Sequence, residues 1–242
     1  MGQLEKPALP EYLYRYRNIT APITNNRKAV TRLSLELRMI LEQKLWCAHY
    51  RKLNDPMEGF YDPSERIKKA TNYSETAANI FHGKQGIGIC CFSDSPDNEL
   101  MWTHYTDQYQ GICIGYHPRL LLSGIPENAR LVRLGYGLSP PLIGKDDAPY
   151  TTEAAIKVLS HKKACWAYER EWRVLALDNK AELQIAAENC IKIVLLGSRI
   201  SETHQNEIVR NLKGLPITIK RMKVEKYKHT WQLLQCARAA KT

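Results

Sequence analysis

From Glu169 the chain alternates in a way that few folds accept. Glu169, Glu171, Arg173 and Leu175 fall on one side of an extended strand, with Arg170, Trp172, Val174 and Ala176 on the other. This run closes the stretch 161–177 and reads as a strand. Three ionisable residues on one face sit where burial is usual and an unpaired charge is costly. A fold keeps such residues when they pair with one another or do chemistry. Two readings stay open: Arg173 neutralises Glu171 in a structural ion pair, or the E-x-E is a working acidic pair.

The 242 residues, 44% of them hydrophobic, are enough to bury one sizeable core, so a single domain over 1–242 is expected. No apolar run reaches the roughly 18 residues that a membrane span needs. The first ten residues are polar and proline-bearing, unlike a secretory signal. Seven cysteines occur without a C-x-x-C pair, and most lie in apolar runs. They read as reduced core thiols of a cytoplasmic protein. The net charge of +10 is uneven: residues 213–242 hold eight Lys or Arg against Glu225 alone, a surplus of +7. Such a segment attracts polyanions, or it is a solvated edge strand whose lysines deter association.

In chain order, Leu13-Tyr14-Arg15-Tyr16-Arg17 is a strand with Leu13, Arg15 and Arg17 on one face. Residues 28–43 have helical spacing, and 45–48 read as a short strand leading into an Asn54-Asp55-Pro56 turn. Residues 63–81 form a helix interrupted at 71–74, and 86–92 a buried strand. A short helix at 101–105 and strands at 111–116 and 131–136 follow, then a Pro/Gly/Asp-rich loop over 137–150. Residues 151–160 and 202–212 read as helices, and 191–197 and 217–224 as strands. A tail at 231–240 has helical character. The sum is an α+β chain of about six to eight strands and two to four helices.

Four polar clusters interrupt the pattern: Arg15 with Arg17, Asn54-Asp55 with Glu58, Ser93 through Tyr105, and Glu169 with Glu171. None has metal-ligand spacing, and no phosphate-binding glycine loop or G-x-S-x-G elbow is present. Cys91 beside an imagined His104 base is a poor nucleophile, because an apolar strand raises a thiol's pKa. What remains is arginine, serine and a paired glutamate. An arginine can hold a pyrophosphate, a serine can orient a ribose, and a carboxylate can stabilise an oxocarbenium as a C–N glycosidic bond breaks. The plainer readings are that both arginines face solvent, Ser93 caps a helix, and Trp102 and Tyr105 are core rings.

Leu13–Arg17, Leu45-Trp46 with Leu53-Asn54-Asp55-Pro56, Cys91-Phe92-Ser93, Met101-Trp102-Thr103-His104-Tyr105 with Gly111, and Tyr168-Glu169-Arg170-Glu171-Trp172-Arg173 together resemble the bacterial domain-of-unknown-function 2971 family. The resemblance runs over 13–234 and carries no activity with it. Arg15 or Arg17, Ser93 and Glu169-x-Glu171 also resemble, in that order, the arginine–serine–glutamate class of the ADP-ribosyltransferase superfamily. That resemblance implies a mixed, mostly antiparallel split β-sandwich with flanking helices, acting on NAD as substrate without a metal.

It further implies ADP-ribosyl transfer or NAD glycohydrolysis, in a bacterial toxin or phage-defence effector. Arg15 or Arg17 would hold the pyrophosphate, Ser93 the nicotinamide ribose, and Trp102 or Tyr105 the nicotinamide. Tyr16, Asn54 and Asp55 complete the expected cofactor contacts. Glu171 would stabilise the oxocarbenium, and Glu169 would orient an acceptor if there is one. The segment 213–242 would recruit a nucleic acid or an acidic protein as acceptor. The alternative is a non-catalytic nucleic-acid-binding or protein-interaction module, with Glu171–Arg173 a structural pair. A metal-dependent nuclease on Asp55, Glu58 and Glu169 is disfavoured by their spacing.

Overall fold

The computed structural model describes residues 8–21, 30–144, 146–147, 151–178 and 181–237. The chain divides into two compact units, one of residues 1–45, 92–125 and 184–242 and the other of residues 46–91 and 126–183. Each mixes helices with a mostly antiparallel sheet, so the fold is α+β.

In the first unit, Ile112–Tyr116 and Ile191–Leu196 are nearly continuous apolar runs with no polar face to offer water. They pair antiparallel at the centre of the sheet, Val194 opposite Ile114. Leu13–Arg17 flanks Ile112–Tyr116 antiparallel, Tyr14 opposite Gly115. A Cβ at Gly115 would lie 2.4 Å from Ile193 Cγ2 and 3.2 Å from the Tyr14 ring, so only glycine admits both neighbours. On the other side Thr218–Glu225 runs parallel to Ile191–Leu196. A parallel pair needs a crossover, supplied by the helix Glu202–Asn211 with Ser201 as its N-cap. Thr31, Asn98 and His117 cap the helices Arg32–Leu41, Glu99–Tyr105 and Pro118–Gly124 in the same way.

The tail departs from its helical expectation. Lys228–Gln235 is a strand, paired antiparallel with Thr218–Glu225. Lys226 and Tyr227 both have left-handed backbone, at φ 49° and 62°. Two such residues in sequence form the tight turn whose twist matches a hairpin, and it sets Glu225 opposite Lys228. Residues 238–240 of the expected helix lie outside the described residues.

In the second unit, Glu171–Ala176 is buried along its whole length and so has no solvent face. It lies between Ala129–Arg133 and Gly88–Ser93, the last two residues of which count with the first unit. The alternation expected from Glu169 begins two residues late. Ala164–Glu169 is a 3-10 turn, and Arg170 takes the left-handed conformation, φ 47°, before the strand starts at Glu171. Glu169 is therefore not on the strand. The interrupted helix separates into Glu65–Lys68 and Tyr73–Gln85, and the longer piece packs on Thr151–Leu159. One core gathers Tyr50, Ile87, Ile89, Leu159 and Leu175; another gathers Ile67, Ile80, Ile143 and Val158.

Among the described residues there are fifteen strands and seven α-helices, more than the sequence indicates. The surplus includes short pieces such as Ala48–His49 and Glu65–Lys68. No helix among the described residues is long and apolar enough to cross a membrane.

Candidate functional site

Beneath the Glu171 strand the second unit buries five charged side chains: Arg173 at 0% exposure, Glu169 at 2%, Glu171 at 4%, Lys162 at 5% and Glu58 at 6%. Removing that much charge from water is tolerable only with near-complete pairing. Arg173 achieves it, since all five of its N–H donors are engaged. Nη1 and Nη2 grip the two Glu58 oxygens at 2.6 and 2.8 Å, while Nε and Nη2 reach the Glu171 oxygens at 2.7 and 3.2 Å. The fifth donor, on Nη1, goes to the Leu159 carbonyl at 2.7 Å.

Lys162 extends the chain of charges, 2.5 Å from Glu169 Oε2 and 3.3 Å from Glu171 Oε2, with Trp166 as a ring face 4.8 Å away. The Glu171 backbone N–H donates to the Tyr136 hydroxyl at 2.8 Å. Burial alone would raise the Glu171 pKa, but Arg173 and Lys162 outweigh it and hold the carboxyl at about 2. Burial and then Glu171 push the Cys91 thiol well up, which leaves it inert as a nucleophile. Both Glu171 oxygens are thus occupied by cations. Of the two readings open in the sequence, the ion pair has the geometry, enlarged by Glu58 and Lys162.

The residues expected at NAD divide between the units. Asn54 and Asp55 share the second unit with the glutamates: Asn54 is exposed, and Asp55 closes its turn by accepting from the Met57 N–H at 2.9 Å. Arg15, Tyr16, Arg17, Ser93, Trp102 and Tyr105 belong to the first. The two arginines do not face solvent: Arg15 is buried, and the half-buried Arg17 is ion-paired with Glu36. Tyr16, Ser93 and Trp102 do come together, around the turn 93–97. The Tyr16 hydroxyl donates to Ser95 O at 2.8 Å, the Trp102 indole to Pro96 O at 2.7 Å, and Ser93 Oγ accepts from Ser95 N at 3.2 Å. Ser93 and Trp102 are wholly buried and Tyr105 is half-buried. These contacts brace a turn, with Ser93 holding the turn after its strand.

The basic hairpin forms a groove of about 760 Å³ within the first unit. Arg199, Arg221 and Lys223 line it with His229, Tyr109 and Tyr227, and Glu99 and Glu225 are its acids. Arg221 is positioned by neutral acceptors alone, Gln205 Oε1 at 2.9 Å and the carbonyls of Ser198 and Ile200 at 3.4 Å, so its charge is not cancelled. Tyr109 stacks on Trp102, ring centres 6.1 Å apart, and meets His229 edge-on at 5.8 Å. A Cβ at Gly197 would lie 2.1 Å from the Tyr109 carbonyl, so that glycine fixes where the ring sits. Tyr227, at the hairpin tip, is fully exposed.

Residues 101–174 match the model of a family described as a protein of unknown function, DUF2971. No curated protein and no solved structure matches the chain. The DUF2971 match takes in Trp102, Tyr105, Tyr136, Lys162 and the Glu169–Arg173 motif. It is narrower than the resemblance over 13–234, and omits Arg15, Arg17, Asn54, Asp55 and Ser93. Within the DUF2971 segment, Lys162 has no sequence signal of its role, since it stands between His161 and Lys163 with nothing to set it apart from them. Only the strand His161–Lys163, paired parallel with Gly135–Gly137, turns its middle residue inward. Glu58 and Arg199, outside the segment, carry no local sign of their roles. Among the described residues, no group of three or more His, Cys, Asp or Glu is arranged to hold a metal ion.

Proposed function

We propose that the chain is a binding module for single-stranded nucleic acid, working through the hairpin groove of the first unit. One observation carries this reading: three cations, Arg221 among them held by neutral acceptors, line the same groove as the fully exposed ring of Tyr227 and the half-buried ring of Tyr109. Backbone phosphates are met by point charges, and unstacked bases by aromatic faces. Arg199, Arg221 and Lys223 supply the first, and Tyr109 and Tyr227 the second. An acidic protein would use the cations and leave the rings idle. The test is fluorescence anisotropy of a labelled single-stranded oligonucleotide at several salt concentrations. With three phosphates engaged, log affinity falls against log salt with a slope of about −2. A flat line, or no saturable binding, contradicts the reading.

A second reading is NAD cleavage on an ADP-ribosyltransferase-like split β-sandwich, as in a toxin or phage-defence effector, with Glu171 as the acid. It is favoured by one feature. Lys162, which gathers Glu169 and Glu171 at a single ammonium, also lines a cavity of about 240 Å³ with His161 and Lys163. Glu171→Gln keeps the shape and removes the charge. NAD consumption by the purified protein that is abolished by this change supports the second reading; consumption that survives it refutes Glu171 as the acid.

A further inference from the structure

We infer that the second unit holds a separate binding site for a small anion carried on a planar ring, of the nucleoside monophosphate class, in a cavity of about 430 Å³ between Lys84 and Arg51. Lys84 projects from the helix Tyr73–Gln85 and is only 7% exposed. Its ammonium donates to the Gly59 carbonyl at 2.7 Å and lies 5.4 Å from the ring centres of both Tyr50 and Tyr61. No acidic side chain among the described residues pairs with it. A buried ammonium has three donors and ordinarily meets a carboxylate; here one donor is used.

Arg51 adds a second cation to the same wall. Its guanidinium lies 5.8 Å from the Tyr50 ring centre and 5.5 Å from that of Phe81, and its Nε donates to the Tyr50 hydroxyl at 3.2 Å. Burial and then the Arg51 charge push the Lys84 pKa down, the mark of two like charges lacking an anion. The acids of the cavity do not relieve them. Glu58 spends both oxygens on Arg173, and Asp55 is turned to its own loop at Met57 N.

The walls also leave apolar rings in water, Phe60 at 63% exposure and Phe81 at 41%. A phosphate would take the spare donors of both cations, and an attached base would cover those rings. The volume suits a ligand of that size. This site is independent of the hairpin groove.

The test is calorimetric titration of the full chain with AMP, adenosine and inorganic phosphate at constant ionic strength. AMP should bind roughly tenfold more tightly than either part alone. Arg51→Gln, at an exposed side chain, should weaken AMP roughly tenfold, as should Lys84→Gln. Arg119→Gln, an exposed cation of the first unit, should leave AMP binding unchanged. AMP binding no tighter than adenosine or phosphate overturns the inference, and so does wild-type affinity in both the Arg51 and the Lys84 variants.

Discussion

Replacing Arg173 with leucine should destabilise the protein by about 3–5 kcal/mol, a large part of the ~5–15 kcal/mol that holds a domain together. The loss is not that of one contact. Glu58 and Glu171 would both remain buried with their guanidinium gone, and Lys162 is already shared between Glu171 and Glu169. The pH dependence gives a second signature. The folded carboxyl of Glu171 titrates at about 2, below its ordinary 4.5, so its contribution to stability is complete above 4.5 and is lost as pH falls through about 2. In Arg173→Leu the sign reverses. Burial then favours the protonated form of Glu171, and the variant should regain stability on acidification from neutral pH. Urea unfolding at neutral and mildly acidic pH measures both effects. A neutral-pH loss under about 1 kcal/mol would show that the cluster is not the buried network described.

Trp102→Ala should cost a similar amount, about 3–5 kcal/mol, by removing the largest fully buried side chain of the first unit. The indole touches Tyr16 edge-on at 5.3 Å, Tyr109 face to face at 6.1 Å and Trp231 at 6.2 Å, and its N–H is spent on Pro96 O. Those partners come from a strand, a left-handed loop and the hairpin, so the cavity cannot close by moving one of them. Trp102→Phe keeps most of the ring area, loses the N–H bond, and should recover more than half of the loss. The expectation that Trp102 stacks on a nicotinamide requires an exposed ring. Stability unchanged by Trp102→Ala would restore that expectation.

The two substitutions mark what the sequence makes legible. Ile112–Tyr116 and Ile191–Leu196 are readable because an unbroken apolar run has one sensible place in a sheet. Glu171 is readable as a strand residue with a charge problem, and Arg173 as its nearest solution. Glu58 is not readable as a partner. It lies 115 positions earlier in the chain, and only the tertiary fold brings its turn under the strand. Glu169 misleads for a local reason: alternation extends smoothly back through Arg170, and nothing in an arginine announces a left-handed backbone. The tail misleads in the same way. Its leucines and alanines have helical spacing, while the Lys226-Tyr227 turn that makes it a strand lacks the Asn-Gly or Asp-Gly usual there. The hairpin's cations are plain in the composition; their meeting with Tyr109 depends on a loop whose shape Gly197 permits.

The most direct measurement is oligonucleotide anisotropy across salt for three proteins: wild type, Glu171→Gln, and the double variant Arg199→Gln with Lys223→Gln. If the groove is the working surface and Glu171 a structural partner, Glu171→Gln keeps the wild-type affinity and salt slope. The double variant binds more weakly, its slope shallower by about 1.4, the value for two phosphates released. A double variant that binds as wild type, or a Glu171→Gln protein that remains folded and no longer binds, would contradict the account.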